Sequence, residues 1–465
     1  MSEFDYDLAV LGGGSAGYAA ARTTAAAGWN TIVVEGGPEI GGLCILRGCM
    51  PTKALLYAAD VLHLARHAAT WGITTDPVTF DFARVMARKR AMIEDFASYR
   101  RQQLTGGKFA FHRATATFTD PHTVQLSTGE RIRARHFLLA TGSVVASPPL
   151  PHLRDIGYLT SDDALELTAL PESLIVLGGG AVGVEFAQFF QRFGVAVTLI
   201  QRGETILRDF DTDAALETEK VLRREGMTVL TNTRLLDARR EGGRKIVTFE
   251  HDGARREVAA AEILFALGRT PNTASLGLAH AGVVLDGARI VSNARMQTSA
   301  PHIYAGGDCT GPYEIVHIAI QQGEIAAHNL LHPDRPRAID YRLLTSVVFT
   351  DPQVASVGLT EKAARAANLP YLTASYPFND HGKSLIMEAK DGFVKLLAHP
   401  VTGEILGGGC VGPMGGELIH EIIVAMAARM TVHELAAVPH YHPTLAEIWT
   451  YPAEELADKI KLRKR

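Results

Sequence analysis

The feature that most constrains the fold of this sequence is a unit of strand, glycine-rich turn, helix and strand near its start. An apolar strand over residues 7–11 leads into the run GGGSAG at residues 12–17, and an alanine-rich helix extends through Ala27. A second apolar strand, residues 31–34, then ends at Glu35. This order of elements predicts a βαβ unit that binds a nucleotide.

The same unit returns in the middle of the chain. A strand over residues 174–177 precedes the run GGGAVG at residues 178–183, a helix extends through Phe193, and the next strand, residues 195–200, ends at Gln201. The separation of the two copies is too long for a solenoid repeat, so it predicts two copies of one nucleotide-binding domain.

Each glycine run has the form G-x-G-x-x-G, in which every glycine has its own steric reason. The first permits a tight turn, the second lets the backbone approach a pyrophosphate, and the third lets helix and strand pack closely. The phosphates then lie at a helix N-terminus, where N–H groups without helical partners favour negative charge. Glu35 is placed to accept hydrogen bonds from a ribose. We therefore predict two dinucleotide sites, with glycines at Gly12, Gly14 and Gly17 and at Gly178, Gly180 and Gly183.

The second copy lacks an acid at the position that corresponds to Glu35. Gln201 takes that place, Arg202 follows it, and Arg208 comes shortly after. A carboxylate here would repel the 2′-phosphate of NADP(H), whereas arginine offers charge-assisted hydrogen bonds of about 1.5–3 kcal/mol each. The sequence thus favours NADP(H) over NAD(H). The alternative is that both arginines are ordinary surface residues.

Composition narrows the class of protein. The chain has 465 residues, which predicts several domains, and 47% hydrophobic with 21% charged residues is typical of a globular protein. The formal net charge of −4 gives no support for binding to nucleic acid or to a membrane. We expect no signal peptide, because the acidic start leads straight into an apolar strand, and no transmembrane helix, because no run of about 18 apolar residues occurs. Four cysteines are too few for a secreted disulfide scaffold, so we expect a cytoplasmic protein.

Two of the cysteines are close neighbours. Cys44 and Cys49 lie in the segment GGLCILRGCMPTK, at the predicted start of a helix. A helix N-terminus lowers the pKa of a thiol, which suits redox chemistry. Zinc sites usually have two pairs of ligands with short gaps, whereas Cys309 and Cys410 are isolated, so the pattern favours a redox pair over a metal site. Buried structural thiols are the alternative, and that is our interpretation of Cys309 and Cys410.

At these motifs the sequence resembles the class I pyridine nucleotide-disulfide oxidoreductases, the family of glutathione reductase, dihydrolipoamide dehydrogenase and mercuric reductase. The resemblance covers nearly the whole chain and rests on several motifs in the same order. Besides the glycine runs and the cysteine segment, these motifs are ATG at 140–142, GRTPN at 268–272, YAGGD at 304–308, the segment 392–412, and HYHPT at 440–444 followed by Glu447.

The resemblance implies FAD in the first nucleotide site and a relay of electrons from the nicotinamide nucleotide through FAD to a Cys44–Cys49 disulfide. Cys44 would attack the substrate, and Cys49 would lie against the flavin. Lys53 would lie near the flavin and pair with Glu185, and Asp308 would bind the ribityl chain. The matching motifs also assign cofactor contacts to Gly42, Thr141, Gly142, Gly268 and Arg269.

His442 and Glu447 complete the implied site. The resemblance makes His442 the acid/base that serves the disulfide of the partner subunit, which implies an obligate homodimer with a shared active site. Thiol–disulfide exchange needs an attacking thiolate and a protonated leaving group, and a histidine that titrates near neutrality can move both protons. A carboxylate five residues later, across a helix that starts at Pro443, would fix the tautomer of the ring.

The sequence departs from individual members of the family in ways that bear on the substrate. Arg47 puts a positive charge between the cysteines, where it would lower a cysteine pKa, attract an acidic substrate, or face outward. Ala181 occupies the place of the gating tyrosine of glutathione reductases, and Glu324 that of a substrate-binding arginine, which argues against glutathione disulfide. The chain keeps His442 and ends KIKLRKR without a cysteine pair, which argues against mercury reduction.

These arguments predict an α/β fold with two Rossmann-like dinucleotide-binding domains, for FAD and NAD(P), and a C-terminal α+β dimerisation domain. We place the FAD-binding domain at residues 1–149 and 271–340, the NAD(P)-binding domain at 150–270, and the dimerisation domain at 341–465. The predicted function is electron transfer from NADPH through FAD and Cys44–Cys49 to a small-molecule disulfide. Alternatives on this scaffold are an NAD-dependent dihydrolipoamide dehydrogenase and a mercuric, other metal or quinone reductase. A non-enzymatic flavoprotein redox sensor is the alternative of another class.

Overall fold

The computed structural model describes residues 3–463, and their contacts divide the chain into two compact units. The first unit comprises the residues up to 52 together with 84–147 and 268–339. The second comprises 53–83, 148–267 and the residues from 340 onward. Each unit therefore assembles from stretches that are distant in sequence. The finer division into FAD-binding, NAD(P)-binding and dimerisation segments stays a prediction.

The first unit is built on a sheet whose central strands are parallel. Strand Tyr6–Leu11 pairs in parallel with Thr31–Val34 on one side and with Arg131–Leu139 on the other. Most of Tyr6–Leu11 and all of Thr31–Val34 are buried, which explains their unbroken apolar sequences. In spatial order the strands are Ala110–His112, Thr31–Val34, Tyr6–Leu11, Arg131–Leu139, Thr123–Leu126 and Ala116–Asp120, and Ile303–Ala305 also pairs with Arg131–Leu139.

Two helices of the first unit, Ser15–Ala26 and Val316–Leu331, pack closely against each other. Their contact needs a glycine, because a Cβ at Gly323 would lie 2.2 Å from the carbonyl oxygen of Ala16. The remaining elements of this unit are the helices Leu43–Leu46 and Phe82–Thr105, the 3-10 helices Leu278–Ala281 and Asp308–Thr310, and the antiparallel pairs Ser143–Val145 with Arg269–Pro271 and Leu285–Asp286 with Arg289–Ile290.

The second unit contains a second parallel sheet with the same spatial order. Its first strand, Ser173–Leu177, lies between its second strand, Ala196–Ile200, and the later strand Glu262–Phe265. Thr228–Leu230 forms the outer edge beside Ala196–Ile200. The predicted repeat of one nucleotide-binding architecture is thereby confirmed. Around this sheet lie the helices Pro151–Ile156, Ser161–Ala164, Ala181–Arg192 and Thr212–Arg224 and the antiparallel strands Thr233–Glu241, Arg244–His251 and Ala254–Ala260.

The C-terminal part of the second unit is a five-stranded antiparallel sheet with helices packed on it. Its core contains fully buried side chains such as Ile419, Ile422 and Trp449. The α+β prediction for this part is confirmed. The strands in spatial order are Thr345–Val348, Gln353–Gly358, Ile405–Gly412, Phe393–Ala398 and Leu372–Pro377. The helices are Glu361–Ala366, Gly382–Ile386, Gly415–Ala427, Val432–Ala437 and Thr450–Arg463, with 3-10 helices at Tyr341–Leu343, Phe378–Asp380 and Ala446–Trp449.

A buried arginine connects separate stretches of the second unit. Arg192 is 6% exposed and donates to Asp60 at 2.7 Å, Glu225 at 2.7 Å and Asp351 at 2.8 Å. Partial burial raises the pKa of Asp60 to about 6, against the lowering effect of Arg192. Removal of Arg192 would leave these three carboxylates without their shared cation, at a cost of about 3–5 kcal/mol. The cluster thus anchors the helix Cys49–Arg66, which Ala68–Trp71 follows as a 3-10 helix.

The predicted helix that starts at Pro443 is wrong. Residues 440–445 form no helix, and a 3-10 helix begins only at Ala446. The local reason is a hydrogen bond from the N–H of Glu447 to the Thr444 hydroxyl at 3.4 Å, which replaces a helical partner there. Within residues 3–463, no helix has the length and apolar character needed to span a bilayer.

Candidate functional site

The first glycine turn has two glycines that the fold requires and one that it does not. Gly12 has φ +106°, and a Cβ there would lie 2.3 Å from the carbonyl oxygen of Ala140. A Cβ at Gly17 would lie 1.9 Å from the carbonyl oxygen of Gly12. A Cβ at Gly14 would meet nothing within 4 Å, and Gly14 starts the helix Ser15–Ala26 without a side-chain cap. This helix start is therefore open to an anionic ligand.

Glu35 lies beside the same turn. Its carboxylate accepts the N–H of Gly13 at 2.6 Å and the N–H of Gly37 at 2.7 Å. These two bonds fix both oxygens at the end of the strand Thr31–Val34, and each oxygen keeps a lone pair for a further donor. The arrangement suits the two hydroxyls of a ribose.

The motifs ATG and GRTPN come together in the first unit. The N–H of Asn272 donates to the carbonyl of Gly142 at 2.9 Å, next to Thr141. The N–H of Ala146 donates to the carbonyl of Gly268 at 3.1 Å. Gly142 and Gly268 have φ of +67° and +112°, which a glycine adopts without strain.

A series of hydrogen bonds connects this junction with Asp308. Arg269 Nε donates to the Ser143 hydroxyl at 2.7 Å, and that hydroxyl donates to Asp308 Oδ2 at 2.7 Å. Asp308 begins its 3-10 helix after Gly307, whose N–H is held by Gln322 at 2.7 Å. Sequence reasoning missed Ser143, although its position directly after the ATG motif is a signal that could have identified it.

The cysteine segment lies against the first glycine turn. Gly42 has φ +81°, and a Cβ on it would lie 3.0 Å from Gly14 Cα. Cys44 lies in the short helix Leu43–Leu46, and Cys49 is the first residue of the helix Cys49–Arg66. Between them a Cβ at Gly48 would lie 3.3 Å from Cys44 Cα, so this glycine permits a tight return of the chain. Both thiols are half-buried at helix starts, where a thiolate is favoured.

One arginine lies within this segment, and another lies near it. Arg47 donates to Glu39 through Nη2 at 3.1 Å, and the two side chains are 39% and 55% exposed. This is the outward-facing arrangement weighed for Arg47. Arg100 was missed by sequence reasoning because it lies on the distant helix Phe82–Thr105. Its guanidinium lies 4.2 Å from the ring centre of Tyr18, and burial lowers its pKa, whereas Tyr18 and Cys44 act to raise it.

The residues of the first unit fit FAD. An open helix start at Gly14 suits a pyrophosphate, the Glu35 carboxylate suits a ribose, and the Asp308 carboxylate suits a hydroxylated chain. The residues that would hold the cofactor belong to one compact unit.

The second glycine turn repeats the geometry of the first. A Cβ at Gly178 would lie 2.3 Å from the carbonyl oxygen of Ala266, and one at Gly183 would lie 1.9 Å from the carbonyl oxygen of Gly178. A Cβ at Gly180 would meet nothing within 4 Å. Gly180 also starts its helix, Ala181–Arg192, without a side-chain cap.

Gln201 takes the structural place of Glu35 in the second turn. Its Oε1 accepts the N–H of Gly179 at 3.1 Å, and its Nε2 donates to the carbonyl of Thr205 at 3.2 Å. The N–H of Leu207 donates to the carbonyl of Gly179 at 2.7 Å. The loop after the strand Ala196–Ile200 is therefore hydrogen-bonded to the glycine turn through both Gln201 and Leu207.

Arg202 and Arg208 lie on this loop and are exposed. The Arg208 side chain is 71% exposed and lies 3.7 Å from the exposed carboxylate of Asp209, while its carbonyl accepts from Lys362 at 2.7 Å. Ala181, at the start of the helix, is exposed as well, as is its neighbour Val182. No bulky side chain thus stands at the position of the gating tyrosine.

Lys53 and Glu185 form an ion pair within the second unit. Lys53 Nζ donates to Glu185 Oε2 at 2.7 Å, and the side chains are 32% and 4% exposed. The other carboxylate oxygen accepts the N–H of Phe349 at 2.9 Å, and the ring of Phe349 lies 4.7 Å from Lys53 Nζ. The lysine is therefore held on its helix four residues after Cys49.

His442 and Glu447 also form a pair within the second unit. His442 Nδ1 lies 2.9 Å and 3.1 Å from the two oxygens of Glu447. The histidine side chain is 77% exposed and the carboxylate only 9%. A buried carboxylate thus fixes one ring nitrogen and leaves Nε2 directed away from it, which is the arrangement of a general acid/base.

Cys309, Cys410 and Glu324 lie at three further positions considered in the sequence analysis. Cys309 and Cys410 are fully buried, as predicted, and burial raises the pKa of Cys309 to about 11 and that of Cys410 still further. Glu324 pairs with Arg22 at 2.5 Å on the two packed helices of the first unit.

Comparison with known proteins identifies the family of this chain. The family model described as pyridine nucleotide-disulphide oxidoreductase matches residues 6–323, and the model of the dimerisation domain of these proteins matches residues 344–453. A dihydrolipoyl dehydrogenase of Thermus scotoductus is 36% identical, covering 97% of both chains. That of Geobacillus stearothermophilus is 34% identical over 96% of this chain and 95% of the relative.

Solved structures give the same result. The HOCl-induced flavoprotein disulfide reductase RclA from Escherichia coli superposes with a TM-score of 0.85 at 27% identity, covering 97% of this chain and 99% of RclA. LpdA from Mycobacterium tuberculosis has a TM-score of 0.86 at 29% identity, with the same coverage. The chain therefore belongs to the pyridine nucleotide-disulphide oxidoreductase family and is a flavoprotein oxidoreductase that uses FAD, a pyridine nucleotide and a redox-active cysteine pair.

Proposed function

We propose that this chain is an NADPH-dependent, FAD-containing reductase of a small-molecule disulfide, and that it works as a homodimer in the cytoplasm. The observation that carries the proposal is the cysteine segment, with two half-buried thiols at helix starts against the first glycine turn. The description of RclA as a disulfide reductase supports the same direction of electron flow.

The proposed preference for NADPH rests on the loop after the second glycine turn. Gln201 satisfies the N–H of Gly179 with a neutral amide, so the site has no carboxylate at the position of Glu35 that would repel a 2′-phosphate. Arg202 and Arg208 belong to this loop, and both side chains are exposed. Their guanidinium groups can therefore reach an anionic ligand.

When bound, FAD supplies the acceptor for the hydride of NADPH and the electron pair that opens the Cys44–Cys49 disulfide. Cys44, as a thiolate, attacks one sulfur of the substrate, forms a mixed disulfide and releases the first thiolate. Cys49 then attacks Cys44, releases the second thiolate and restores the internal disulfide. One disulfide, two electrons and two protons thus give two thiols.

His442 of the second subunit supplies the proton to the first leaving thiolate. Glu447 holds Nδ1, so Nε2 is the nitrogen that carries the transferred proton. Glycines 12, 14 and 17, Glu35 and Asp308 would hold FAD, and Lys53, held by Glu185, supplies a fixed positive charge four residues after Cys49.

A second candidate is a dihydrolipoyl dehydrogenase that runs in the opposite direction with NAD. The curated relatives at 34% and 36% identity carry that name, and they match nearly the full length of this chain. The same cysteines and the same histidine would serve this reaction. The two candidates differ in the nucleotide and in the direction of electron flow.

The test is a set of steady-state measurements on the purified FAD-loaded protein. Reduction of a panel of small disulfides, lipoamide included, is measured with NADPH and with NADH, and oxidation of dihydrolipoamide with NAD and NADP. We expect kcat/KM for NADPH to exceed that for NADH by about tenfold or more, which corresponds to one charge-assisted contact. Faster oxidation of dihydrolipoamide with NAD would replace the first candidate by the second.

Two variants make the outcome specific. Cys44→Ser should abolish disulfide turnover while NADPH-dependent reduction of a quinone persists, because that reaction bypasses the cysteine pair. The double variant R202A/R208A should lose the NADPH preference and keep its activity with NADH. Disulfide turnover by Cys44→Ser would refute the assigned role of Cys44.

A further inference from the structure

We propose that His381 is a positioning residue for the His442–Glu447 pair: it donates Nε2–H to Glu447 and so holds the carboxylate in the orientation that His442 needs. The inference rests on the function proposed above, since it concerns the proton that His442 delivers. His381 is part of none of the motifs that the sequence resemblance identified.

Glu447 lies between two histidines of opposite exposure. Its carboxylate contacts Nδ1 of the exposed His442 at 2.9 Å and 3.1 Å. Nε2 of His381 lies 3.4 Å from Glu447 Oε1, the oxygen that is also 3.1 Å from His442 Nδ1, and the His381 side chain has no exposed surface. One carboxylate thus faces the ring that reaches solvent and a ring that is completely enclosed.

The hydrogen bonds around His381 identify which nitrogen carries its proton. Nδ1 lies 2.8 Å from the hydroxyl of Ser384, which is also fully buried and can donate. Nε2 faces the carboxylate of Glu447, and the backbone of Thr444 lies close enough to act to raise the pKa of the ring. A bare Nε2 lone pair directed at a carboxylate would be repulsive. The consistent assignment is therefore Ser384 O–H to Nδ1 and Nε2–H to Glu447.

The surroundings of the ring disfavour its charged form. Burial lowers the pKa of His381, an effect that His442 adds to and that Glu447 opposes. A neutral imidazole carries one N–H, which agrees with a ring that accepts at Nδ1 and donates at Nε2. Glu447 consequently receives a directional bond from His381, and not a competing cation.

The position of the ring is fixed by its neighbours. His381 precedes the helix Gly382–Ile386, and its ring stands nearly perpendicular to those of Phe378 and Tyr451, at 84° and 83°. Such packing leaves the ring little freedom to turn. Nε2 is nevertheless buried without a hydrogen bond of good geometry, an arrangement that needs a reason in a folded protein. Glu447 Oε1, at 3.4 Å, is the carboxylate oxygen that this nitrogen faces.

A second donor on Glu447 has two consequences for His442. It hinders rotation of the carboxylate away from Nδ1, and it draws negative charge from the carboxylate that His442 contacts. Loss of this donor should therefore impair proton delivery and should make His442 retain its proton to higher pH. Substrate binding does not involve the contact, so KM should stay the same.

The experiment compares His381→Met, which fills similar space without an N–H, with His381→Gln, whose amide keeps a donor near the position of Nε2. Both are made in the full chain and loaded with FAD. His136→Met is the matched control, because His136 is a partly buried histidine of the first unit that stacks on Trp29 and has no part in the mechanism. Turnover of a disulfide with NADPH is measured across pH, beside NADPH-dependent quinone reduction, which needs no proton from His442.

We expect His381→Met to lower kcat for the disulfide about tenfold, a part of the ~10²–10⁴-fold that general acid–base catalysis contributes. KM and quinone reduction should be unchanged, and the limb of the pH profile that follows His442 should move to higher pH. His381→Gln should recover most of the loss, and His136→Met should leave the ratio of the two activities as in the wild type.

Three outcomes overturn the inference. A wild-type kcat and pH profile in His381→Met would show that the contact does not contribute to proton delivery. Equal losses of disulfide and quinone turnover would assign His381 a structural role only. Absence of thiol or disulfide turnover in the wild type itself, with quinone reduction intact, would overturn the proposed function and the inference together.

Discussion

The two glycine turns have nearly the same backbone but differ in the side chain that follows the second strand. In both, the first and third glycines lie so close to backbone atoms that a Cβ would overlap them, at 2.3 Å and 1.9 Å, and the second glycine faces open space. Glu35 accepts from Gly13 at 2.6 Å in the first turn, and Gln201 accepts from Gly179 at 3.1 Å in the second.

This difference separates what the fold needs from what the ligand needs. The fold needs only an acceptor for the N–H of the glycine in the turn, and a carboxylate and an amide oxygen both provide one. The charge of that acceptor is then free to vary with the ligand. A carboxylate suits the bare ribose of FAD, and a neutral amide beside two arginines suits a phosphorylated ribose.

The largest expected effect is loss of stability when a packed glycine is replaced. Gly17→Ala and Gly183→Ala would each place a methyl group 1.9 Å from a carbonyl oxygen, so the helix must move away from its strand. We expect each to lower the free energy of unfolding by about 3 kcal/mol. Thermal unfolding without nucleotide measures it, and wild-type stability in either variant would show that the two turns are not equivalent.

A smaller effect is expected from exchange of the side chains that distinguish the turns. Glu35→Gln has one amide oxygen for the N–H groups of both Gly13 and Gly37, so FAD content should fall about tenfold. Gln201→Glu places a carboxylate near the proposed 2′-phosphate, so kcat/KM for NADPH should fall about 10–100-fold while that for NADH is kept. Flavin absorbance per chain and the ratio of the two nucleotides measure these effects. Equal losses with NADPH and NADH would contradict the proposed role of Gln201.

The smallest effect on stability is expected at the second glycine of each turn. A Cβ at Gly14 or Gly180 meets nothing within 4 Å, so alanine should change the free energy of unfolding by less than about 0.5 kcal/mol. The methyl group should still hinder a pyrophosphate, and nucleotide affinity should fall about tenfold. Calorimetric titration and thermal unfolding test both halves of this prediction. A marked loss of stability would mean that the fold, and not the ligand, requires these glycines.

Much of the architecture could be predicted because its signals are local. Strand Thr31–Val34 has the predicted bounds, and the strand predicted at residues 7–11 begins one residue earlier, at Tyr6. Apolar runs and glycine turns can be recognised in the sequence because each depends on residues that are close along the chain. The wrong helix at Pro443 shows the limit, because a hydroxyl one residue further on binds the N–H that the helix would have used.

The side chains that support the site could not be predicted in the same way. Ser143 links Arg269 to Asp308, Arg100 reaches the surroundings of Cys44, and His381 faces Glu447. None of them stands in a motif or follows a periodicity. Each acts through a partner that is distant in sequence, and a single sequence gives no distance between such residues.

The sequence by itself determined the two nucleotide-binding units, the cysteine pair and the change from Glu35 to Gln201, because these depend on the identity and spacing of neighbouring residues. The tertiary structure alone decided that Gln201 replaces Glu35 in its hydrogen bond, that Arg47 pairs outward with Glu39, and that a buried histidine stands behind Glu447. Those facts depend on burial and on contacts across the chain, and burial decides whether a polar group is a surface residue or part of a site.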